Sequence, residues 1–561
     1  MTEPTERAFD VVIIGGGING AGLFRDLCEQ GIDCLLVDKS DFGSGTSAAP
    51  SRLIHGGLKY LETAEFDLVA QSTLERNLLL RNAPHLVRPL PTVIPIFSWI
   101  TGVRAALRTM LGAKTAPRSR GAVLVKIGLA LYDFFGRRSR VMPRHRLLGR
   151  AEALRELPAI NPRIVAAGSY HDAAVTAPER LVWELVADGL AANSASAAMN
   201  ATTIEGRDGG TLRFRPEAGA PVIVTPKLVV NAAGPWIDRV NAALGAPSRL
   251  IGGTKGSHIL LDHPELVRQL DGRMVYFEAD DGRICLVFDY LGRALVGSTD
   301  IPADDPDEVR IDETEIDYLL GSLRGLFTGL SFERLQIVSA YSGIRPLPAS
   351  EGTAPGLISR DHSAPVAEPE ANRPFPILSM VGGKWTTFRG FAEEVADTVL
   401  ARLGGARRVS TRELSIGGGR DYPPTDAGRG AWVARVAGAR GLSRERLATL
   451  LERYGTTAAE IARAEAGVAP EFLEAAPETS LAEIGWIARH EAVVHLCDIV
   501  LRRTTLALTG RLTVRDLERI GEVTAAALGW SEARQRAEVA ATAEHLRTRN
   551  RVDMKETAPA A

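Results

Sequence analysis

The sequence predicts an α/β protein with three parts: a nucleotide-binding domain on a parallel sheet, a domain on an antiparallel sheet, and an all-helical C-terminal domain. Three observations predict this fold class. A buried-strand pattern at 9–14 enters a glycine-rich turn, strand-like runs flank the dipeptide Asp281-Gly282, and from Pro423 onward Ala, Leu, Arg and Glu recur with helical periodicity. At 561 residues the chain is long enough for two or three domains.

The glycine-rich turn has the spacing G-x-G-x-x-G at Gly15, Gly17 and Gly20. The first glycine permits the turn, the second lets backbone approach a pyrophosphate, and the third packs the next helix on the strand, as in Rossmann-like domains. The pyrophosphate is expected at the helix N-terminus, where free N–H groups favour an anion. A second apolar run at 34–37 ends at Asp38, which suits ribose hydroxyls and disfavours NADP. This pattern leaves NAD and FAD open.

Composition narrows the class of protein. Hydrophobic residues at 45% and charged residues at 24% are ordinary for a globular protein, and the net charge of −2 gives no reason to expect nucleic-acid binding. The four cysteines show no C-x-x-C spacing, so we expect neither disulfides nor a zinc site. His490 and His495 lie roughly 140° apart on a helix, and we expect no metal there. Because the first residues do not resemble a leader and no long apolar run occurs, we expect a cytoplasmic protein.

Several motifs follow the glycine turn. A loop of small residues at 40–51 leads into RLIHGGLKYL at 52–61, and KGSH at 255–258, YSGIRP at 341–346 and VGGKWTTF at 381–388 come later. Together they resemble the FAD-dependent glycerol-3-phosphate dehydrogenases, the quinone-linked flavoenzymes of glycerol metabolism. The resemblance covers about 9–400, and the run at 488–504 resembles the family's C-terminal helical domain.

The resemblance implies FAD as the cofactor. The predicted cofactor-binding residues are Gly15, Gly17, Gly20, Asp38, Thr46, Ser47, Ser51, Leu53, Ala233, Gly234 and Gly383.

Oxidising a phosphorylated secondary alcohol requires a base for the hydroxyl proton and cations for the phosphate dianion. The resemblance makes His55 and Arg345 the candidate catalytic residues, with the imidazole of His55 as the base and Arg345 as a bidentate cation. The candidate substrate-binding residues are Lys59, Lys255, His258 and Lys384.

The implied activity is oxidation of sn-glycerol 3-phosphate to dihydroxyacetone phosphate, with the electrons passed to a membrane quinone. Three departures bear on the substrate: the family usually has Lys where this chain has Arg52, Arg where it has Lys59, and a Ser-rich loop where it has Ala-Ala-Pro at 48–50. Exchanging Arg for Lys at a phosphate site is not conservative, so a longer polyol phosphate such as erythritol phosphate stays open. An oxidase that uses oxygen and a non-catalytic flavin-binding sensor also stay open.

Residues 98–146 carry eleven Lys and Arg side chains against one acid, Asp133, interleaved with apolar and aromatic residues. This pattern suits a helix in an anionic membrane interface, and it equally suits a solvated basic face around core helices. The resemblance favours the first interpretation, because the family's members collect at the bilayer to reach quinone. We therefore expect peripheral association with the inner face of the cell membrane. The oligomeric state stays open, including a homodimer.

The predicted domains are discontinuous. The FAD-binding domain takes 1–90, 151–250 and 342–400, the substrate or cap domain 91–150 and 251–341, the helical C-terminal domain 410–552, and a disordered tail 553–561.

Within the cap domain we expect strands at 273–277, 283–288 and 294–299, a helix over 313–326, and a strand that ends at Tyr341. In the C-terminal domain two capping-box spacings, at 480–483 and 513–516, predict helix starts.

Overall fold

The computed structural model describes residues 5–61, 65–101, 120–136, 142–303, 305–349 and 361–556. They form two large sheets, one mostly parallel and one mostly antiparallel, followed by a group of helices. The predicted α/β class with a helical C-terminal domain is confirmed.

The strands follow in chain order. They are β1 Thr5–Ile14, β2 Cys34–Val37, β3 Leu53–Ile54, β4 Val87–Ile96, β5 Arg146–Gly149, β6 Ala166–Val175, β7 Ala197–Met199, β8 Thr202–Asp208, β9 Thr211–Pro216, β10 Val222–Asn231, β11 Ile251–Leu261, β12 Met274–Glu278, β13 Ile284–Tyr290, β14 Arg293–Gly297, β15 Ile301–Pro302, β16 Ile337–Pro348, β17 His362–Ser363, β18 Val366–Ala367, β19 Ile377–Ser379 and β20 Val381–Gly382.

The helices are α1 Ile18–Glu29, α2 Phe66–Asn82, α3 Ala122–Phe135, α4 Arg150–Glu156, α5 Pro178–Ala192, α6 Ile237–Ala243, α7 Pro264–Leu270, α8 Glu313–Leu326, α9 Phe388–Arg402, α10 Asp426–Arg440, α11 Arg444–Tyr454, α12 Ala458–Glu465, α13 Leu481–His490, α14 Leu496–Asp498, α15 Val514–Leu528 and α16 Glu532–Asn550. A π-helical turn at Ile499–Arg503 continues α14.

The first sheet contains eight of the described strands, in the order β18-β19-β10-β1-β2-β7, with the hairpin of β8 and β9 attached to β10. β1 pairs in parallel with β2 and β10. In this register Ile14 lies beside Val37 and Asn231, so the carboxyl ends of the three strands meet at the glycine turn. Ligands of open parallel sheets bind at that edge.

Helix α1 packs with α5 and α9 against one face of the first sheet. Phe24 of α1, Val182 of α5 and Phe391 of α9 share a buried core with Val11 and Ile13 of β1. Because β1 runs directly into α1, this packing holds the N-terminus of α1 at the carboxyl edge of the sheet.

The second sheet contains ten of the described strands, in the order β15-β11-β14-β13-β12-β4-β6-β3, with β16 paired to β11 and β5 to β6. β12, β13 and β14 form the predicted meander, and α8 spans the predicted residues. Side chains alternate across β11: Ile259 packs toward α8 in the core that includes Leu320, whereas His258 lies on the opposite face. That opposite face forms one wall of the site described below.

The boundaries between the two predicted sheet domains differ from the structure. β4 and β6 pair over ten residues, and β3 pairs with β6, so all three belong to the second sheet although most of their residues were predicted for the first. The sequence pattern missed this because the pairing partners are far apart in the chain. β16 does not end at Tyr341 but continues to Pro348, since it stays paired with β11 along its length.

The C-terminal helices pack around a buried core that includes Leu447, Ile484 and Leu517, and this core is continuous with buried residues of the second sheet such as Leu260 and Phe288. The two predicted helix starts are confirmed: the hydroxyl groups of Ser480 and Thr513 accept hydrogen bonds from the backbone N–H groups three residues on, at 2.9 and 3.0 Å. This domain contacts the first domain through buried ion pairs, which join Arg180 to Glu491 at 2.7 Å and Arg503 to Asp41 at 2.7 Å.

Much of the predicted basic segment, 102–119 and 137–141, lies outside the described residues, as does 557–561 of the predicted tail. The described part contains α3, whose inner side chains Leu129 and Tyr132 are buried. Its outer face exposes apolar side chains, and so does the segment at 97–101 that follows β4; these are Phe97, Trp99, Ile100, Val123, Ile127 and Phe134. No helix in the described ranges is long and apolar enough to cross a bilayer.

Candidate active site

A cavity of about 1210 Å³ runs from the glycine turn of the first sheet to the open face of the second. Single small-ligand sites are usually about 300–1,000 Å³. The cavity is therefore large enough for a dinucleotide and a further small molecule. Its lining comes from both sheets, and we describe its nucleotide end and its substrate end in turn.

Backbone shapes the nucleotide end. Gly15 has φ +110°, and a Cβ atom there would lie 2.5 Å from the carbonyl oxygen of Ala232, so no other residue fits without moving the strand exit. Gly17 precedes the first turn of α1 and lines the cavity. Gly20 lies inside α1, where a Cβ atom would overlap the Gly15 carbonyl oxygen, so it serves the close helix–strand packing that the motif predicts.

Two side chains hold this turn. Asp38 follows β2 and accepts hydrogen bonds from the N–H groups of Gly16 at 2.7 Å and Ser40 at 2.8 Å. Burial raises the pKa of Asp38 to about 6. Ser47, in the loop that follows, accepts a 2.9 Å hydrogen bond from the N–H of Ile18 at the start of α1. The loop is thereby tied to the helix end that faces the cavity.

These features fit a flavin dinucleotide. The cradle leaves no room for a side chain at Gly15, the α1 N-terminus faces the cavity, and Asp38 stands where a ribose is expected. The turn after β10, with Ala233 and Gly234, and the turn at Gly383 also line the cavity.

His258 lies at the substrate end, on β11. A hydrogen bond of 2.8 Å joins its Nε2 atom to the Ser51 hydroxyl, and its ring stacks on Tyr341 at 4.9 Å between centroids. Its Nδ1 atom is buried and has no hydrogen-bond partner among the described residues. Burial, with the charges of Arg345 and Arg52, lowers the pKa of His258 to about 3. His258 is therefore neutral at pH 7 and brings no positive charge to the pocket.

Arg345 extends from β16 beside His258. Its guanidinium donates to Asp300 Oδ1 at 3.2 Å, to the Ser298 hydroxyl at 3.0 Å and to the Thr299 carbonyl at 3.2 Å. Arg345 passes over Gly256, where any Cβ atom would overlap the guanidinium. The glycine of the KGSH motif thus makes room for the arginine of the YSGIRP motif.

Lys384, Tyr60 and His55 form the third wall of the substrate end. The Lys384 ammonium donates to the Ser72 hydroxyl at 2.9 Å and lies 3.7 Å from the centroid of the Tyr60 ring. The His55 ring lies roughly parallel to the same tyrosine, 6.3 Å away between centroids. The backbone N–H of His55 donates to the Thr386 hydroxyl at 3.3 Å.

The structure brings most of the predicted residues to one cavity. Those that line it are Gly15, Gly17, Asp38, Thr46, Ser47, Ser51, Leu53, His55, Lys59, Ala233, Gly234, His258, Arg345, Gly383 and Lys384.

Lys255 is not brought to the cavity. It lies three residues before His258 on β11, so its side chain points to the other face of the sheet. There its ammonium pairs with Glu315 at 2.8 Å and Asp312 at 3.2 Å, next to α8.

Arg52 also lies behind the site rather than in it. Its fully buried guanidinium pairs with Glu179 at 2.8 Å and lies between the rings of Tyr290 and Tyr341. This departure from the family pattern therefore bears on support of the loop, whereas Lys59 lines the cavity directly.

Sequence reasoning missed several lining residues. Tyr60 lies inside the RLIHGGLKYL motif, so its position in that motif could have identified it as a lining residue. Tyr341 could have been identified in the same way, because it is the first residue of the YSGIRP motif. Ser298 and Asp300, which bond to Arg345, follow β14 directly, and only the exit of the predicted meander hinted at them.

The geometry of this cavity, a dinucleotide cradle joined to a cationic pocket, is that of a dinucleotide-dependent oxidoreductase. Comparison with family models agrees: the family described as FAD dependent oxidoreductase matches residues 10–397, and the C-terminal domain of alpha-glycerophosphate oxidase matches 409–535. The cofactor is FAD.

Curated relatives narrow the class. The chain is 32% identical over 532 residues to a glycerol-3-phosphate dehydrogenase of Synechocystis, covering 90% of each chain. It is 30% identical to the aerobic glycerol-3-phosphate dehydrogenase of Escherichia coli, covering 88% of this chain and 93% of that one. It is also 33% identical to D-erythritol 1-phosphate dehydrogenase of Brucella abortus, covering 70% and 73%. The chain belongs to the FAD-dependent glycerol-3-phosphate dehydrogenase family.

The fold agrees with this assignment. The glycerol-3-phosphate dehydrogenase of Bacillus halodurans, solved with FAD, superposes with a TM-score of 0.74 at 21% identity, covering 98% of this chain and 96% of that one.

Proposed function

We propose that this protein oxidises sn-glycerol 3-phosphate to dihydroxyacetone phosphate with FAD and passes the electrons to a quinone. The observation that carries the proposal is the convergence of Arg345, Lys384 and Lys59 with two histidines at the end of the cavity opposite the nucleotide cradle.

The cations suit a phosphate dianion. Arg345 offers a planar pair of donors, and its bonds to Asp300 and Ser298 hold the guanidinium in one orientation. Lys384 is a point charge held by Ser72 and by the Tyr60 ring, so its position does not depend on the ligand. Lys59 lies on the short helical turn Leu58–Leu61 next to Tyr60. A phosphate bound among these groups leaves the rest of a small polyol near the histidines.

Oxidising a secondary alcohol removes a proton from the hydroxyl group and a pair of electrons with the carbon-bound hydrogen. FAD, when bound, supplies the acceptor for that electron pair. We assign the hydroxyl proton to the imidazole of His55, because the low pKa of His258 makes it a poor proton acceptor at neutral pH. His258 instead contributes a neutral side chain to the wall of the pocket, where its Nε2 atom pairs with the Ser51 hydroxyl at 2.8 Å.

Anaerobic mixing of the FAD-loaded protein with sn-glycerol 3-phosphate tests the activity. We expect loss of the oxidised flavin absorbance, followed by its return when a quinone analogue is added. D-erythritol 1-phosphate runs beside it, because Lys59 stands where the family usually has Arg. Faster bleaching by the erythritol compound would assign the longer substrate, and no bleaching by either would favour a flavin-binding sensor. Hydrogen peroxide in excess of reduced quinone, measured in air, would assign an oxidase.

We further propose peripheral binding to the inner face of the cell membrane through the exposed apolar residues of α3 and of the segment at 97–101. Ile100 is 74% exposed and Phe134 60% exposed, and the basic side chain Lys126 stands among them. Apolar side chains beside basic ones suit an anionic bilayer surface, where the headgroups attract the cations and the acyl boundary takes the apolar groups.

Sedimentation with anionic and neutral vesicles tests this proposal. We expect binding to anionic vesicles that weakens as salt rises, because surface attraction is screened within about 8–10 Å at 0.1–0.15 M ionic strength. The variant Ile127→Glu, which places a charge on the outer face, should reduce binding without changing flavin reduction. Binding that is indifferent to lipid charge, salt and this variant would contradict the proposal.

A further inference from the structure

A buried hydrogen-bond network holds the backbone between His55 and Lys59. Its centre is Asp172 on β6, whose Oδ1 atom accepts hydrogen bonds from the N–H of Gly56 at 3.1 Å, from the Tyr132 hydroxyl at 2.5 Å and from Arg76 at 2.9 Å. The Tyr132 oxygen in turn accepts from the same Gly56 N–H at 2.8 Å and from Arg76 at 2.7 Å.

The three side chains in contact come from three elements that are far apart in sequence. Arg76 lies on α2, Tyr132 on α3 and Asp172 on β6, and all three are buried. Taking a charged pair out of water is costly unless its hydrogen bonds are satisfied. Here Asp172 and Arg76 pair with each other, Arg76 also donates to Asn77 Oδ1 at 3.2 Å and to the His171 carbonyl at 3.4 Å, and both Asp172 and Tyr132 accept from the Gly56 N–H.

The contact with the loop is close. A Cβ atom at Gly56 would overlap the Tyr132 hydroxyl oxygen, so the phenol rests directly against the loop backbone. The next residue, Gly57, has φ +80°, and the chain turns there toward Lys59 and Tyr60. Fixing the Gly56 amide therefore fixes the direction from which His55 enters the pocket on one side and the helical turn at 58–61 on the other.

Burial also keeps the phenol in its donating form. It raises the pKa of Tyr132 well above the usual value for tyrosine, and the neighbouring charge of Arg76 offsets only part of that rise. At neutral pH the Tyr132 hydroxyl therefore stays protonated and donates a hydrogen bond to Asp172. The lone pairs of its oxygen accept hydrogen bonds from Gly56 and Arg76.

We propose that Tyr132, Asp172 and Arg76 are positioning residues for the reaction: they hold the Gly56 amide and so set the placement of His55 and Tyr60 at the substrate. The inference rests on the proposed function, because that function is what gives the loop a substrate to meet. None of the three residues is assigned a chemical step.

The experiment compares two tyrosine-to-phenylalanine variants of the FAD-loaded protein. Tyr132→Phe removes the hydroxyl and keeps the ring, which packs edge-on against Tyr170 at 5.6 Å. Tyr454→Phe is the matched control: this buried hydroxyl also donates to a carboxylate, Glu483, and an arginine lies over its ring, but it belongs to the C-terminal core. Flavin content and Tm report whether each variant folds.

Anaerobic flavin reduction over a range of polyol phosphate concentrations is the first readout. We expect Tyr132→Phe to lower the limiting rate or raise the half-saturating concentration, changing their ratio by about tenfold, as loss of one buried hydrogen bond would. Tyr454→Phe should leave both unchanged. Wild-type kinetics in Tyr132→Phe, or an equal change in the control, would overturn the positioning role.

Amide hydrogen exchange in the peptide that covers 53–61 is the second readout, and it needs no substrate. We expect faster exchange in Tyr132→Phe than in the wild type or in Tyr454→Phe. Unchanged exchange would overturn the proposal even if no polyol phosphate reduced the flavin, whereas a wild-type protein that no polyol phosphate reduces would overturn the proposed function alone. Asp172→Asn, which keeps the Oδ1 acceptor but leaves Arg76 without its charge partner, should give the larger increase in exchange.

Discussion

The two ends of the cavity are assembled differently. At the nucleotide end the groups come mostly from one stretch, 14–51, and the backbone sets the shape, with glycines at the close approaches and the side chains of Asp38 and Ser47 holding the turn. At the substrate end His55, His258, Arg345 and Lys384 come from four separate parts of the chain, and side chains hold other side chains. We infer that the first end tolerates little change in shape, and the second end little change in chemistry.

Gly15→Ala gives the largest expected effect. The added methyl would meet the Ala232 carbonyl at 2.5 Å, and φ +110° is strained for alanine, so the strand exit and the α1 N-terminus must move. We expect purified protein with little or no bound FAD, measured as the ratio of flavin to protein. Gly321→Ala, in the middle of α8 where a Cβ atom meets nothing within 4 Å, is the control and should keep its flavin and gain about 0.5–1 kcal/mol of stability. Full flavin content in Gly15→Ala would contradict the inference that the nucleotide end tolerates little change in shape.

Arg345→Lys tests the inference that the substrate end tolerates little change in the chemistry of its side chains. Lysine keeps the charge but loses the planar pair of donors that Asp300 and Ser298 orient. We expect normal FAD content and a kcat/KM for the polyol phosphate that is roughly 10- to 100-fold lower, the scale of a lost charge-assisted hydrogen bond. Lys255→Arg, on the neighbouring strand but facing α8, should leave kcat/KM unchanged. An equal loss in both variants would mean that distance from the cavity does not decide which cations matter.

The same contrast explains what the sequence could predict. Gly15, Gly20 and Asp38 lie within one strand–helix–strand unit, where spacing alone determines geometry, and their predicted roles match the contacts that the structure shows. The KGSH motif predicted His258 and Lys255 together, but the period of two along a strand separates them by face.

Other features depend on distant partners that no local pattern reveals. Arg52 was an expected influence on the substrate, yet its charge is taken up by Glu179 behind the loop. β6 was expected beside the nucleotide, yet it pairs with β4 in the second sheet, where it carries Asp172. The network around Gly56 therefore became visible only from the structure.

Lowering the pH should affect the nucleotide end at Asp38. Burial raises its pKa to about 6, whereas Asp41 stays ionised because, against the effect of burial, the charges of Arg503 and Arg502 lower its pKa to about 2. The carboxylate form of Asp38 accepts hydrogen bonds on both oxygens. FAD affinity is therefore expected to be full well above pH 6, where Asp38 is ionised, and to fall as the pH drops through about 6, by up to about tenfold per pH unit at lower pH. Dissociation of FAD measured at pH 5 and pH 7.5 checks this. Asp38→Asn should bind FAD more weakly and lose this dependence, and a pH effect that survives in the variant would assign the titration to another group.

Ser47→Ala gives the smallest expected effect and is the most sensitive test of the comparison. The hydroxyl accepts one hydrogen bond from the N–H of Ile18, and its loss removes a cap from the start of α1 while the backbone of the turn keeps its shape. We expect a loss of about 1 kcal/mol in the free energy of unfolding, as for other N-terminal caps, with FAD content close to that of the wild type. Thr46→Ser, which keeps a hydroxyl able to donate to the Ile344 carbonyl, serves as the neighbouring control. If Ser47→Ala lost FAD as completely as Gly15→Ala, the nucleotide end would depend on a side chain as strictly as the substrate end does, because a single hydroxyl would then matter as much as the path of the backbone.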